Sequence, residues 1–157
     1  MKPAKKGGAA MPDCSGKRFA IVAARFYDEL ADDLVDGSRR ALIACGVMPD
    51  DIHEYDVPGC FELPLACRNL IERSHYDAVV ALGVVVRGET PHFDFVAGEC
   101  ARGLMNVQLR NGTPIGFGVL TTDTLAQAQE RADPKRGDKG YDAAMAAATL
   151  LRLARRP

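Results

Sequence analysis

The stretch that most constrains the fold is 77–96, where an apolar run meets a polar turn and then helical spacing. The run 77–86 is almost unbroken Ala, Val and Leu, and a short apolar run rich in β-branched residues is typical of a strand buried on both faces of a parallel sheet. Pro91 in the polar turn lacks an N–H and restricts the residue before it. From Phe93, apolar residues recur at helical spacing, next at Val96 and Cys100. The stretch therefore predicts strand, loop and helix in that order.

The same alternation recurs along the chain. Further strands are predicted at 19–24, 52–57 and 115–120, and helical spacing is found at 28–45, 63–71, 125–132 and 141–155. Asp28 is the expected N-cap of the first helix. Alternating strands and helices predict right-handed crossovers and a parallel sheet. We therefore predict an α/β fold, a flavodoxin-like three-layer αβα sandwich with a four-stranded parallel sheet. The strand at 52–57 is the least apolar and is expected near an edge.

Length and composition indicate one globular domain. The 157 residues are 47% hydrophobic and 26% charged, which are ordinary values for a single domain. Residues 1–16 contain lysine, glycine and proline without apolar periodicity, so we expect a flexible tail at 1–16 and a single domain at 17–157. A net charge of −1 gives no bulk attraction to nucleic acid or anionic membrane. Since no apolar run reaches about 18 residues, we expect neither partner.

Cysteine usage and nucleotide motifs exclude several classes of site. The five cysteines are odd in number and widely spaced, with no C-x-x-C pair. They indicate reduced thiols in the cytoplasm, not a disulfide framework or a zinc site. The chain has neither a P-loop nor a G-x-G-x-x-G fingerprint. We expect no cofactor and no metal.

Polar and aromatic clusters follow each predicted strand, at 25–27, 57–62, 87–92 and 121–124. In open α/β sheets, ligands bind outside the carboxyl ends of the strands. This clustering is the observation from which we predict a ligand site.

Individual residues in these clusters admit two interpretations each. His92 is either a capping or surface histidine or a proton-transfer group, and Phe26 either packs in the core or stacks on a flat ring. Glu62 either complements a helix N-terminus or accepts hydrogen bonds from ligand hydroxyls. The basic run that includes Arg131 and Lys139 is either a solvated face or a phosphate clamp.

Four motifs taken together resemble one family. They are Val57-Pro-Gly-Cys-Phe-Glu62, Gly83-Val-Val-Val-Arg-Gly-Glu-Thr-Pro-His92, Phe117-Gly-Val-Leu-Thr-Thr122, and Glu130-Arg131 followed by Gly137-Asp-Lys-Gly140. In this order and spacing the chain resembles the lumazine synthases of riboflavin biosynthesis, from about Lys17 to the last helix. The resemblance implies a transferase that condenses 5-amino-6-(D-ribitylamino)uracil with 3,4-dihydroxy-2-butanone 4-phosphate, releasing phosphate and water.

The resemblance also implies roles on the uracil side of the site. His92 would transfer protons, and Phe26 would stack on the pyrimidine. The residues implied to hold the uracil and ribityl groups or to line the ring are Cys60, Phe61, Glu62, Val84, Val85 and Val86.

On the ketone side, Glu89 and Thr90 would meet the phosphorylated ketone, and Arg131 would bind its phosphate with Lys139 nearby. Phe117 would close the ring site from an adjacent subunit. The resemblance thus implies a homo-oligomer, either a pentamer or a sixty-subunit shell, with riboflavin synthase as a candidate partner.

Two positions depart from the family pattern, and two other functions stay open. Tyr27 stands where the family often has Asn, and Cys60 where it usually has Ala or Ser. A flavodoxin-like module that holds a lumazine or flavin without turnover is one alternative; a structural shell, which can coexist with catalysis, is the other. A passive binder needs no proton-transfer group, so the combination of Glu62, His92 and Arg131 favours the enzyme.

Overall fold

The sheet has four strands, all parallel, in a computed structural model that describes residues 10–153. The strands are β1 (Phe19–Ala24), β2 (Ile52–Val57), β3 (Ala78–Val86) and β4 (Ile115–Thr122). Their order is β2-β1-β3-β4, so β1 and β3 are the central pair and β2 and β4 lie at the two edges. The predicted fold class is confirmed, and β2 lies at an edge as its composition predicts.

Helices cover both faces of this sheet. They are α1 (Asp28–Ala44), α2 (Leu63–Ser74), α3 (His92–Asn111), α4 (Leu125–Ala132) and α5 (Lys139–Leu153). Helices α1, α4 and α5 pack on one face, and α2 and α3 pack on the other. None of the helices within residues 10–153 is both long and apolar enough to cross a membrane.

Strand β3 carries the centre of the core. Residues 78–82 are fully buried, and successive side chains point to opposite faces of the sheet. Val80 and Leu82 therefore belong to the core under α1 and α5, while Val79 and Ala81 belong to the core under α2 and α3. Burial on both faces explains why this strand has no polar residue.

Two helix ends differ from expectation. Asp28 was expected to cap α1, but it is the first residue of the helix, and Tyr27 occupies the capping position without a side-chain bond. The Asp28 carboxylate in the first turn complements the helix dipole instead. The last helix begins at Lys139, two residues earlier than expected, and its expected end at 155 lies outside the described residues.

The amino-terminal segment contacts the domain before the predicted boundary at residue 17. Residues 1–9 of the predicted tail lie outside the described part of the chain. Cys14 is buried in the core, and its N–H donates to the Cys45 carbonyl at 2.8 Å. The boundary between tail and domain stays a prediction.

Candidate functional site

A cavity of about 580 Å³ opens at the carboxyl ends of β1, β2 and β3. This volume is within the range of small-molecule sites, roughly 300–1,000 Å³. Its lining residues are Phe26, Tyr27, Gly59, Cys60, Phe61, Glu62, Val84, Val85, Val86, His92, Phe95 and Val96. Eight of the predicted site residues are in this set, contributed by three strand ends and the first turn of α3.

Three phenylalanines stand exposed around the cavity. Phe26, Phe61 and Phe95 are 75%, 62% and 67% exposed. The interpretation of Phe26 as a core residue is therefore wrong. Exposed aromatic rings beside a cavity offer flat apolar faces, which suit stacking on a heterocycle. The Tyr27 ring meets Phe26 edge-on, with centroids 5.0 Å apart.

The Cys60 thiol, which lines the cavity, packs against Gly83 of β3. A Cβ added at Gly83 would lie 2.4 Å from the Cys60 Sγ, so the absence of a side chain makes room for the sulfur. Burial raises the pKa of Cys60 to about 11. The thiol is therefore protonated near neutral pH. Since only the thiolate is an effective nucleophile, Cys60 contributes surface to the cavity and does not act as a nucleophile.

Glu62 holds together the turn on which it lies. Its Oε2 accepts a hydrogen bond from the Gly59 N–H at 3.0 Å, within the short 3-10 turn Cys60–Glu62. Pro64 follows in the first turn of α2, where its missing N–H costs no helical hydrogen bond. Both interpretations of Glu62 fit this geometry, since the carboxylate stabilises the turn and also lines the cavity.

His92 is the first residue of α3 and lies exposed at the cavity. The Thr90 Oγ1 accepts from its backbone N–H at 3.5 Å. A helix N-terminus favours negative charge, so this end of the cavity combines an imidazole with a weakly positive backbone. Glu89 and Thr90 are exposed in the turn beside it, outside the lining.

Arg87 fixes the turn that carries His92. Its Nε donates to the Asp123 Oδ1 at 3.0 Å, and its Nη1 lies 3.5 Å from the Asp94 Oδ1. The guanidinium also stands 4.3 Å from the centroid of the Phe93 ring. These contacts tie the first turn of α3 to the end of β4 and so restrict where His92 can lie.

Phe117 lies away from this cavity. It lies on the edge strand β4, where it pairs with Ala81 of β3, five residues before Thr122 at the carboxyl end of β4. At about 3.3 Å per residue this separation is about 16 Å. Phe117 is half exposed and lines a smaller cavity of about 180 Å³ between α3 and β4. It does not line the large cavity of its own chain.

Arg131 and Lys139 lie on the opposite face of the sheet from α2 and α3. Ala128 and Ala132 anchor α4 to the core under α1 and α5, and the Arg131 Nη1 donates to the Gln127 carbonyl at 3.0 Å. Within one chain, neither Arg131 nor Lys139 lines the large cavity.

Sequence reasoning missed Phe95 as a site residue. It follows His92 by three positions, so the two share a helix face. This three-residue spacing could have identified Phe95 from the sequence. Val96 was interpreted only as part of the apolar face of α3, and Gly59 and Tyr27 were noted without a site role.

Comparison with known proteins extends the resemblance over almost the whole chain. The family model described as 6,7-dimethyl-8-ribityllumazine synthase matches residues 16–155. A protein of that name from Desulfatibacillum aliphaticivorans is 47% identical over 139 residues, covering 88% of this chain and 90% of the relative. Those from Lawsonia intracellularis and Syntrophus aciditrophicus are each 48% identical, covering 90% and 89% of this chain and 90% and 91% of the relatives.

This chain belongs to the 6,7-dimethyl-8-ribityllumazine synthase family. The family match spans all four sequence motifs and every residue that lines the large cavity. The family match confirms the resemblance that the motifs indicated. The matched range also includes Phe117 and Arg131, which lie away from the cavity.

Proposed function

We propose that this protein is a lumazine synthase, a transferase that condenses 5-amino-6-(D-ribitylamino)uracil with 3,4-dihydroxy-2-butanone 4-phosphate in riboflavin biosynthesis. The observation that carries the proposal is the convergence of Phe26, Glu62 and His92 on one cavity. An exposed ring, a carboxylate and an imidazole are the groups required to stack a pyrimidine, hold ribityl hydroxyls and move protons.

The uracil substrate would occupy the large cavity. Phe26 would stack on the pyrimidine, while the backbone turn at Cys60 and Phe61 and the end of β3 would enclose the ring. Glu62 would accept hydrogen bonds from ribityl hydroxyls, since an ionised carboxylate is an acceptor only. The remaining contacts proposed to line the ring are Val84, Val85 and Val86.

His92 would transfer protons between the two substrates. The amine attacks the ketone, and a first water leaves as the imine forms. Phosphate is then eliminated, the second amine adds to the carbonyl carbon that remains in the four-carbon unit, and a second water leaves as the ring closes. Each step moves a proton, and a positioned imidazole contributes roughly 10²–10⁴-fold to such steps. Holding the two substrates together contributes more, because it makes the attack effectively unimolecular.

The ketone would bind beside the N-terminus of α3, between two subunits. Glu89 and Thr90 would contact it from the chain that carries His92. Arg131 of the adjacent subunit would bind its phosphate with Lys139 nearby, and Phe117 of that subunit would close the ring site. The separation of these residues from the cavity within one chain supports this division.

Such a site requires a head-to-tail interface, which forms a ring when the rotation between successive subunits closes. We propose a homopentamer, alone or within a sixty-subunit shell. Half-exposed Phe117 beside an apolar cavity supports an interface on this side of the sheet. We also propose a cytoplasmic location, which the five cysteines support, since none of them forms a disulfide within residues 10–153.

Turnover of both substrates by the purified protein separates the enzyme from a passive binder. Formation of 6,7-dimethyl-8-ribityllumazine above the uncatalysed rate is expected. Binding of the uracil substrate without acceleration would identify a binding module instead.

A mixed-subunit experiment tests the shared site. His92→Ala and Arg131→Ala proteins are unfolded and refolded together in equal amounts, and mass spectrometry verifies mixed oligomers. In a ring, about one interface in four pairs an intact His92 side with an intact Arg131 side. Activity should therefore rise above the parental average toward about a quarter of wild type. Mixed oligomers that keep the parental average would assign the site to a single subunit.

A further inference from the structure

The loop between α4 and α5 packs closely against the helix end that carries Arg131. The Gly137 N–H donates to the Glu130 carbonyl, and the Asp138 N–H donates to the Asp133 carbonyl, both at 3.0 Å. A Cβ added at Gly137 would lie 2.6 Å from the Arg131 Cα. The loop backbone therefore sets the position of Lys139, the first residue of α5, relative to Arg131.

Asp138 gives this loop an uncommon backbone geometry. Its φ of 49° lies in the left-handed region, which is unfavourable for residues with a Cβ, although Asp is among those that tolerate it best. A conformation of this kind persists only where surrounding contacts hold it.

Arg40 of α1 supplies such a contact. Its Nη2 donates to the Asp138 Oδ1 at 2.7 Å and its Nη1 to the Asp138 Oδ2 at 3.2 Å, which is a two-pronged charge-assisted pair. The Arg40 Nε donates to the Asp36 Oδ2 at 2.8 Å, so the guanidinium is oriented by its own helix. It also stands 5.7 Å from the Tyr141 ring centroid.

Helix α1 also makes space for this pair. A Cβ added at Gly37 would lie 2.7 Å from the Asp138 Oδ1 and 2.8 Å from the Tyr141 backbone nitrogen. Gly37 and Arg40 are three residues apart and thus share a helix face. One face of α1 therefore receives the Asp138 carboxylate, with room at Gly37 and charge at Arg40.

We propose that Arg40 is a positioning residue for phosphate binding: through Asp138 it fixes the loop that places Arg131 and Lys139 relative to each other. The inference rests on the proposed function, because it needs these two cations to bind the phosphorylated ketone. Two cations at either end of a loop hold one phosphate well only when their separation is set in advance.

The test compares Arg40→Gln with Arg39→Gln. Arg39 is the neighbouring arginine on α1, and its Nη1 contacts the Glu54 Oε1 of β2 at 3.0 Å instead of the loop. Arg40→Gln should raise the KM for the phosphorylated ketone about 3- to 10-fold, less than loss of a direct phosphate contact. The KM for the uracil substrate, kcat and the unfolding midpoint should stay near wild type, and Arg39→Gln should change none of them.

Two further variants distinguish positioning from a general loss of charge. Arg40→Lys keeps the charge without the two-pronged geometry, so its KM should fall between those of wild type and Arg40→Gln. Asp138→Asn keeps a side chain that tolerates the left-handed region but removes the carboxylate. It should raise the same KM, and the double variant with Arg40→Gln should be no worse than either single variant.

Arg131→Ala, measured in parallel, separates the two possible failures. If it raises the KM for the ketone and Arg40→Gln does not, the inference about Arg40 is wrong and the proposed function stands. If Arg131→Ala leaves that KM unchanged, both the phosphate assignment and the inference are wrong. Equal rises in both KM values with a lower unfolding midpoint in Arg40→Gln would show a purely structural role.

Discussion

The contact between Gly83 and Cys60 predicts the cost of adding one methyl group to β3 behind the Cys60 thiol. In Gly83→Ala the new Cβ would lie 2.4 Å from the Cys60 Sγ and 3.2 Å from the Ala24 Cβ. Both neighbours are almost fully buried, at 4% and 3% exposure, so neither can move into solvent. Overpacking of this kind destabilises by about 1–3 kcal/mol, which outweighs the roughly 0.5–1 kcal/mol that Ala gains over Gly within a strand.

Removal of the sulfur should relieve this clash. Cys60→Ala alone leaves a small void and should cost about 1 kcal/mol. In the Cys60→Ala background, Gly83→Ala should therefore be close to neutral, since its methyl group fills the space of the lost Sγ. The coupling energy between the two positions should be about 1–3 kcal/mol.

Denaturant unfolding at one fixed protein concentration measures these differences, because association would otherwise shift the midpoints. Gly88→Ala is the matched control: nothing lies within 4 Å of a Cβ at that position, so its effect should be within about 0.5 kcal/mol. If Gly83→Ala is as mild as Gly88→Ala, or costs the same with and without the Cys60 sulfur, the steric argument is wrong.

Three other perturbations have defined outcomes. His92→Ala should lower kcat roughly 10- to 10³-fold; an unchanged kcat, with chemistry shown to be rate-limiting, would exclude His92 from proton transfer. Arg131→Ala should raise the KM for the phosphorylated ketone about 10- to 150-fold, and an equal rise for the uracil substrate would contradict a dedicated phosphate role. Burial raises the pKa of Cys67 and of Cys100 to about 12 from 9.0, so the folded state retains protons that the unfolded chain releases. The free energy of unfolding should therefore fall as the pH rises from about 9 toward 12, less steeply in Cys67→Ala. A denaturant unfolding midpoint independent of pH over this range would contradict the raised pKa values of these two thiols.

The sequence by itself determined the order and type of the elements. A strand buried on both faces is apolar along almost its whole length, so the run at 77–86 identified β3 without any knowledge of its neighbours. The more polar strand at 52–57 indicated an edge for the same reason. The spacing of the four motifs was also enough to indicate the family, because motif order is a property of the chain alone.

Tertiary structure alone decided which of the candidate residues share a cavity. Phe26 could belong to the core or the surface until the packing around the end of β1 left it exposed, and the Cys60 thiol became an inert surface only through its burial over Gly83. Phe117 and Arg131 belong to the family motifs, yet neither lies beside His92. Phe117 lies farther along the sheet, and Arg131 lies on its opposite face. Local propensity acts over a few residues, whereas these distances depend on how strands and helices far apart in the chain pack together.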